Sequence, residues 1–564
     1  IEFASADNKE KENKLILPYS ENVKDNPTPS SKTVLPYAEN IPQDTKAKQN
    51  IEFATVPSPK GVMGVDYNNP TWRKVEWGGL NLRDTINSGE LSYAKNMSTD
   101  EYPYLTPCKK KKFAFEAYYD AVDRITGEPV INVPLGLFST ETQVPKPSGG
   151  YRNIKAIMWI SYTNVEDAQG NDNELLCYLD RTEYRVFRMG YESDSILDSA
   201  YTFVKFDNNI CIFPKGRSLD ILNLPPNNAV LPRMSSRSKK IKYACASPSL
   251  GRIFGVSDTD SDGNIASCIC ATRYGRYDSW GSFSQGQESS WEAKVISDKA
   301  FTGIALYKNH ILAFKENMTY EQYGINLPYR IQDIFSVGCV DHRSIQVVNN
   351  RLLFCGKDGV YSYTGGKAEL ISYNLNLKNV PTLGAIAGTD GRKYYLSVYD
   401  GSWNLYVYDT WFDVWTREDD LEVIDFTYYR GELYGLVYAY SEGSYFPHGK
   451  ILQMTDNPNT RPPEYSDDWE AITDYYTDDI LERYVKEIRL RFDIAEGSTM
   501  SISIQYDDGE FEHIETYDNT DNKYPDMQTI KCSIIPKSAY RYRIKFKGSG
   551  YVKIYAMQVL MAGE

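Results

Sequence analysis

Asn349-Asn350-Arg351-Leu352-Leu353-Phe354-Cys355, followed by Val360-Tyr361-Ser362-Tyr363, reads as a polar turn, an apolar run, a second turn and a tyrosine-rich run. A short apolar run bounded by turns is a buried strand. Tyr suits a strand with one dry and one wet end. The design recurs on both sides. Asn208-Asn209 precedes Ile210-Cys211-Ile212-Phe213, and Asn309 precedes Ile311 to Phe314 and then Tyr320 to Tyr323. Gly391 precedes Tyr394 to Val398 and Leu405 to Tyr408, and Gly431 precedes Leu433 to Val437 and Ile451 to Met454. The turns at 309, 350, 391 and 431 lie 41, 41 and 40 residues apart.

A period of about 40 residues with about four strands per unit predicts a β-propeller. Position 209 lies 100 residues before 309, which leaves room for two longer units, and segments 251–256 and 265–272 fill the middle one. Counting from about 152 gives six or seven blades. A single blade cannot bury both faces, so the ring must be complete to be stable.

Beyond the periodic region the pattern changes. Val485, Ile488, Leu490 and Phe492 alternate with Lys486, Arg489 and Arg491, and Met500 to Ile504 alternates again. Asp507-Asp508-Gly509 is a hairpin turn signal. Tyr540 to Phe546 and Tyr551 to Tyr555 add two half-buried strands. The fold expected is therefore all-β: an extended arm over 1–60, a six- or seven-bladed propeller over 61–465 and a C-terminal β-sandwich over 466–564. The arm is rich in Pro, Asn, Lys and Glu and carries a repeat. Leu17-Pro18-Tyr19-Ser20-Glu21-Asn22 returns as Leu35-Pro36-Tyr37-Ala38-Glu39-Asn40, 18 residues later. A repeated short motif on a tether predicts docking into repeated pockets, through Leu17, Pro18, Tyr19, Leu35, Pro36 and Tyr37.

The 564 residues allow two to four units. Aromatics are 13% of the chain, with 46 Tyr against 21 Phe, which agrees with many short strands. The formal net charge of −14 argues against a tight grip on nucleic acid, although DNA can slide past such a wall. Nine scattered Cys, none in CxxC spacing, read as buried free thiols and imply assembly in a reducing cytoplasm. No run approaches 18 apolar residues, so no membrane span is expected, and no signal peptide is visible.

Few residues offer chemistry. His310, His342, His448 and His513 stand apart from any metal-ligand partner and read as structural or surface residues. Asp258-Thr259-Asp260-Ser261-Asp262-Gly263 has the alternating carboxylates of the front half of a calcium loop, with Asp258, Asp260 and Asp262 as ligands. The closing Glu is missing, since the twelfth position is Ile269, and an ordinary Asp/Gly hairpin turn accounts for the same residues. No cofactor other than this possible Ca2+ is expected. There is no GxSxG elbow, phosphate loop or Asp-box, so an enzyme is not expected. Lys109 to Lys112 and Arg237 to Lys242 read as solvated basic loops, and Trp403, Trp411 and Trp415 as packing between blades or stacking on sugars.

One stretch is more specific. Trp77-Gly78-Gly79-Leu80-Asn81-Leu82, Leu91-Ser92-Tyr93-Ala94-Lys95-Asn96 and Glu101-Tyr102-Pro103-Tyr104-Leu105 resemble the opening of propeller proteins in tailed phages, with a GGLN turn, an L-x-x-A-x-N segment and a P-x-L strand. This chain has Pro107-Cys108-Lys109 where an Arg is common. The resemblance is to tail nozzle and tail-stabilisation proteins of short-tailed phages. It implies a virion tail subunit, assembled in the host cytoplasm as a homo-oligomeric ring around the DNA exit channel. Its partners would be neighbouring copies, an adaptor or portal-proximal ring, and passing DNA without sequence recognition. A receptor- or glycan-binding tail-tip propeller is the alternative, and a polysaccharide-degrading enzyme the third reading.

Overall fold

A computed structural model describes residues 71–563, apart from 76, 84–85, 87–88, 118–131, 146–149, 164–172, 181–182, 191–199, 236–239, 284–285, 297–298, 440–447, 456–463 and 478–481. The arm and its docking residues Leu17, Pro18, Tyr19, Leu35, Pro36 and Tyr37 lie outside the described residues.

The chain is all-β, with no α-helix among the described residues. Seven small antiparallel sheets follow one another. The first is Asn132–Pro145, Tyr151–Thr163, Asn173–Asp180 and Glu183–Arg188. The next five occupy 202–220, 241–294, 301–335, 346–370 and 385–417, the earliest of them with three strands and the others with four. The seventh is Val423–Tyr429, Glu432–Ala439 and His448–Gln453, completed by a strand from far upstream, Lys112–Ala117. The upstream strand pairs antiparallel with the last one, Phe115 opposite Ile451.

The first strand of each sheet touches the start of the next, and Val423–Tyr429 of the seventh touches Asn132–Pro145 of the first. The sequence of sheets therefore closes on itself in a propeller-like cycle. The upstream strand supplies the outer edge that the seventh sheet lacks. Closure removes the open ends that a row of sheets would leave.

The 40-residue period marks one recurrent hairpin, the turn from the first to the second strand of a sheet. Lys308, Asn350, Gly391 and Gly431 all have positive φ there. The turn read at Asn208-Asn209 belongs to the same set, with Asp207 at φ 51°, and the turn missing from the sequence count is at Gly251 (φ 57°). The next comes late because the third sheet carries a long excursion before its last strand, Trp291–Lys294.

Two further sheets share one core. One orders Thr71–Val75, Val552–Gly563, Arg483–Ile494 and Gln528–Ser533. The other orders Leu91–Lys95, Trp469–Thr473, Arg541–Ser549, Thr499–Tyr506 and Glu512–Asp518. Ile488, Leu490, Phe492, Ile502, Ile504, Ile544, Phe546 and Val559 meet between them. Each side chain so buried contributes roughly 1.5–3 kcal/mol of transfer free energy. The three-residue step from Val485 to Ile488 is a bulge between Val485 and Glu487, which resets the alternation.

Sheet membership departs from the division at 465/466. Thr71–Val75 pairs with Val552–Gly563 and Leu91–Lys95 pairs with Trp469–Thr473, so these strands belong with the C-terminal sheets and not with the cyclic array. Local pattern marks a strand but does not name its partner, and these partners lie more than 370 residues away.

Candidate functional site

Two clusters of polar side chains hold the architecture together and concentrate its charge. The first lies where the starts of the sheets meet. Asp341 is wholly buried (0% exposed) and forms a two-pronged pair with Arg343, whose Nε and Nη2 donate to its two oxygens at 3.1 and 2.7 Å. Arg343 also donates to the Leu383 carbonyl (3.3 Å), just before the sixth sheet, and to the Ile424 carbonyl (3.1 Å) in the seventh. The neighbouring His342 ring stacks on Tyr243 of the third sheet at 4.9 Å, and its Nδ1 faces the Ile304 N–H of the fourth at 3.4 Å. Burial pushes the His342 pKa down to about 4, so the ring is neutral at pH 7.

Asp425 sits on the seam between the seventh and first sheets. Its carboxylate accepts the Leu137 and Phe426 N–H groups, each at 2.8 Å. Burial raises its pKa to about 7 against the pull of these donors and of Arg343. Ser139 and Thr427 bond across the same seam at 2.9 Å, Ser139 donates to the Tyr428 carbonyl, and Tyr429 donates to the Lys155 carbonyl. These groups are committed to backbone partners in several sheets. That arrangement ties sheet to sheet around the cycle.

The second cluster joins the upstream segment 77–111 to the sixth sheet. Gly79 has φ +90°, and a Cβ there would lie 2.3 Å from Val414 Cγ1 and 2.9 Å from the Trp415 carbonyl oxygen. That close approach lets the Leu80 N–H reach the Trp415 carbonyl at 2.8 Å, and the Leu82 N–H reaches the Asn374 carbonyl at 2.7 Å. Asn81 is fully buried and donates to Glu90 at 2.6 Å. Leu91 and Ala94 enter the shared core, and Asn96, at φ 55°, donates to the Asp468 carbonyl. Leu105 pairs with Ile554.

Ion pairs extend the junction. Thr99 Oγ1 donates to Asp409, which also accepts from Arg392, and Lys393 bonds Asp100 at 2.6 Å. The Lys109–Lys112 run is solvated at Lys110 but not at Lys111. Lys111 is buried between Glu418 at 2.8 Å and Asp419 at 2.7 Å, and burial's cost to its charge is outweighed by the two carboxylates, so its pKa is raised. The sequence showed a lysine run, but its partners at 418 and 419 become neighbours only through the fold.

The remaining predicted residues are scattered. Asp258 is the penultimate residue of the second strand of the third sheet, Arg252–Thr259, and Asp260 and Asp262 lie in the turn that follows it. Asp260 accepts the N–H groups of Asp262 and Asn264 and pairs with Lys294 at 2.8 Å. That lysine holds its carboxyl well below the usual range. A cation already sits where a metal would, as in a braced hairpin turn, and among the described residues no three His, Cys, Asp or Glu gather around a common point. Asp258 and Asp262 do not join Asp260 in a ligand set. All nine Cys are free thiols, eight of them buried. Trp415 is buried, with its Nε1–H on the Ile371 carbonyl. Trp411 is 63% exposed, with Arg392 over one ring face at 4.3 Å. No described helix is long and apolar enough to cross a membrane.

No family model and no curated protein matches the chain. Solved structures match it at low similarity. An acylaminoacyl peptidase of Pyrococcus horikoshii is 11% identical, with TM-score 0.31, over 63% of this chain and 59% of that one. The extracellular domain of a putative hybrid two-component system of B. thetaiotaomicron is 10% identical, with TM-score 0.35, over 81% and 63%. An exo-beta-1,3-galactanase of Phanerochaete chrysosporium is 8% identical, with TM-score 0.24, over 80% and 100%. The chain thus spans under two thirds of the first two. Superpositions this loose carry no argument about activity.

Proposed function

We propose that this chain is a non-enzymatic structural subunit of a tailed-phage tail, nozzle-like, that works as one of several copies in a ring at the DNA exit channel. In this reading the cyclic array is a seven-bladed β-propeller and the two C-terminal sheets are a β-sandwich that receives strands from both ends of the described chain. One observation carries the proposal: the residues of the phage-like opening, Gly79, Leu80, Asn81, Leu91, Ala94, Asn96 and Leu105, are the ones that join the two-sheet unit to the sixth sheet or to its own core. A resemblance confined to surface loops would support nothing about architecture. This one falls on the positions that contact the sixth sheet and the core of the two-sheet unit.

The arm is assigned to docking on neighbouring copies or an adaptor ring. Cryo-electron microscopy of particles carrying a tagged subunit tests the reading. A ring of density below the portal is the expected result, and density only at a tail tip or on fibres overturns it. Deleting residues 1–55 should leave a folded monomer that no longer joins particles, and normal incorporation removes the arm from the proposal.

A second reading, a receptor- or glycan-binding tail tip, is favoured by the exposed Trp411, whose ring has Arg392 over one face. A glycan array that shows binding by the parent chain and loss in Trp411→Ala would support it, and an array without a hit would remove it.

A further inference from the structure

The sheet ordered Leu91–Lys95, Trp469–Thr473, Arg541–Ser549, Thr499–Tyr506, Glu512–Asp518 has unlike edges. The edge at Leu91–Lys95 is covered: this strand touches Val414–Arg417 of the sixth sheet, and Leu80 bridges to Leu91. The opposite edge, Glu512–Asp518, pairs only with Thr499–Tyr506 among the described residues. Its outer main-chain groups are a template for another chain.

This free edge and the loops around it are acidic. Glu510, Glu512, Glu515, Asp518, Asp521 and Asp526 are all exposed, against Lys523 and Lys537 on the same stretch, of which Lys537 pairs with Glu512, so the edge keeps a net negative charge. The companion sheet ends on the same stretch of chain, in Gln528–Ser533, itself an edge strand. Large apolar side chains stand in water nearby in sequence, Met527 at 43% and Ile535 at 84% exposed.

The face of the same sheet carries the opposite charge. Along Arg541–Ser549 the side chains of Tyr542, Ile544 and Phe546 enter the core, so Arg541, Arg543, Lys545 and Lys547 point away from it. Lys545 lies over the Phe511 ring at 4.1 Å and forms no ion pair among the described residues, and Lys547 meets Asp468 and Glu470 only at 3.6 and 4.0 Å. Such a basic row is unexpected in a chain of net charge −14.

We propose that copies of this chain join head to tail through the C-terminal unit, the acidic edge Glu512–Asp518 of one copy seating on the Arg543–Lys545–Lys547 row of the next. The inference rests on the ring-subunit reading and supplies its contact. Edge and row are different surfaces of one molecule, so the contact is heterologous and propagates, closing into a ring when the rotation per copy permits. Charge complementarity selects a second copy over DNA as the occupant, because the row alone would suit any polyanion, whereas the acidic edge beside it would repel one.

The test uses the full chain, followed by mass photometry and sedimentation at low and high salt. Two double variants are made, Lys545→Glu with Lys547→Glu, and Glu510→Lys with Glu512→Lys, and circular dichroism confirms that each keeps its fold. The parent should assemble in a salt-sensitive way. Each variant alone should lose at least tenfold in self-association. A mixture of the two should recover assembly, because each presents the surface that the other needs. Assembly of the parent that ignores both reversals overturns the interface and leaves the ring reading standing. A parent that stays monomeric at every concentration overturns the ring reading with it, and the acidic edge is then edge protection only. Binding of a single-stranded DNA probe that Lys545→Glu abolishes, without effect on self-association, also overturns the proposal.

Discussion

Replacing Gly79 by Ala tests whether the opening motif is the junction between the two units. The added Cβ would meet Val414 Cγ1 at 2.3 Å and the Trp415 carbonyl oxygen at 2.9 Å. Val414 can turn its side chain, but the carbonyl belongs to strand Val414–Arg417 and accepts the Leu80 N–H. The backbone must therefore move. A positive φ costs a non-glycine residue about 1–2 kcal/mol, and forced overpacking adds about 1–3 kcal/mol. The expected loss is about 2–5 kcal/mol. Gly401→Ala is the control. Its φ is +110° and nothing lies within 4 Å of its Cβ, so it should lose only the conformational part. Urea unfolding followed by tryptophan fluorescence compares the two, with limited proteolysis to show whether 77–107 becomes cleavable. If Gly79→Ala loses no more than Gly401→Ala, the close approach is not what fixes the junction.

Lys111→Met should cost roughly 3–5 kcal/mol in the same unfolding assay, because Glu418 is left buried without a partner, and adding Glu418→Gln should recover most of it. The pH dependence should separate the two buried titrating groups. Asp425 keeps its proton to about pH 7 while an unfolded Asp releases it near 3.9, so its contribution is full below about pH 4 and is lost as pH rises toward 7. His342 has the opposite sign: its pKa is lowered to about 4, so its contribution is present above about 6.5 and is lost as pH falls toward 4. Relative to the parent, Asp425→Asn should gain stability as pH rises from 4 to 7, and His342→Gln should gain as pH falls from 6.5 to 4; equal slopes in all three proteins would refute both assignments. Burial lifts the thiol pKa of Cys177 and Cys339 to about 12 and of Cys532 to about 11, and raises that of Cys245 as well, so a thiol reagent at pH 8 should react slowly with the native chain and with nine groups in denaturant. Rapid native reaction at several sites would contradict that packing.

Much of the chain was legible one residue at a time. A turn such as Asn349-Asn350 needs positive φ, and the strand after it needs apolar side chains, so each repeat of the cyclic array announces its own hairpin. The alternation in Met500 to Ile504 likewise states which side is buried, because strand periodicity is a local property. The Asp260 turn was readable as either a hairpin or a cation loop, and only Lys294, 34 residues away, tips it toward the hairpin. Pairings across long distance were not readable. Nothing in Thr71–Val75 names Val552–Gly563 as its partner, and nothing in Lys112–Ala117 says that it completes the seventh sheet. The lysine run at 109–112 looked solvated until the fold brought Glu418 and Asp419 to Lys111. Sequence by itself determined the strands, their buried faces and the repeat, because turn chemistry and side-chain alternation act within a few residues. Tertiary structure alone decided which strands share a sheet, where the cycle closes and which charges are buried, because hydrogen bonding along a strand edge is blind to the identity of its partner.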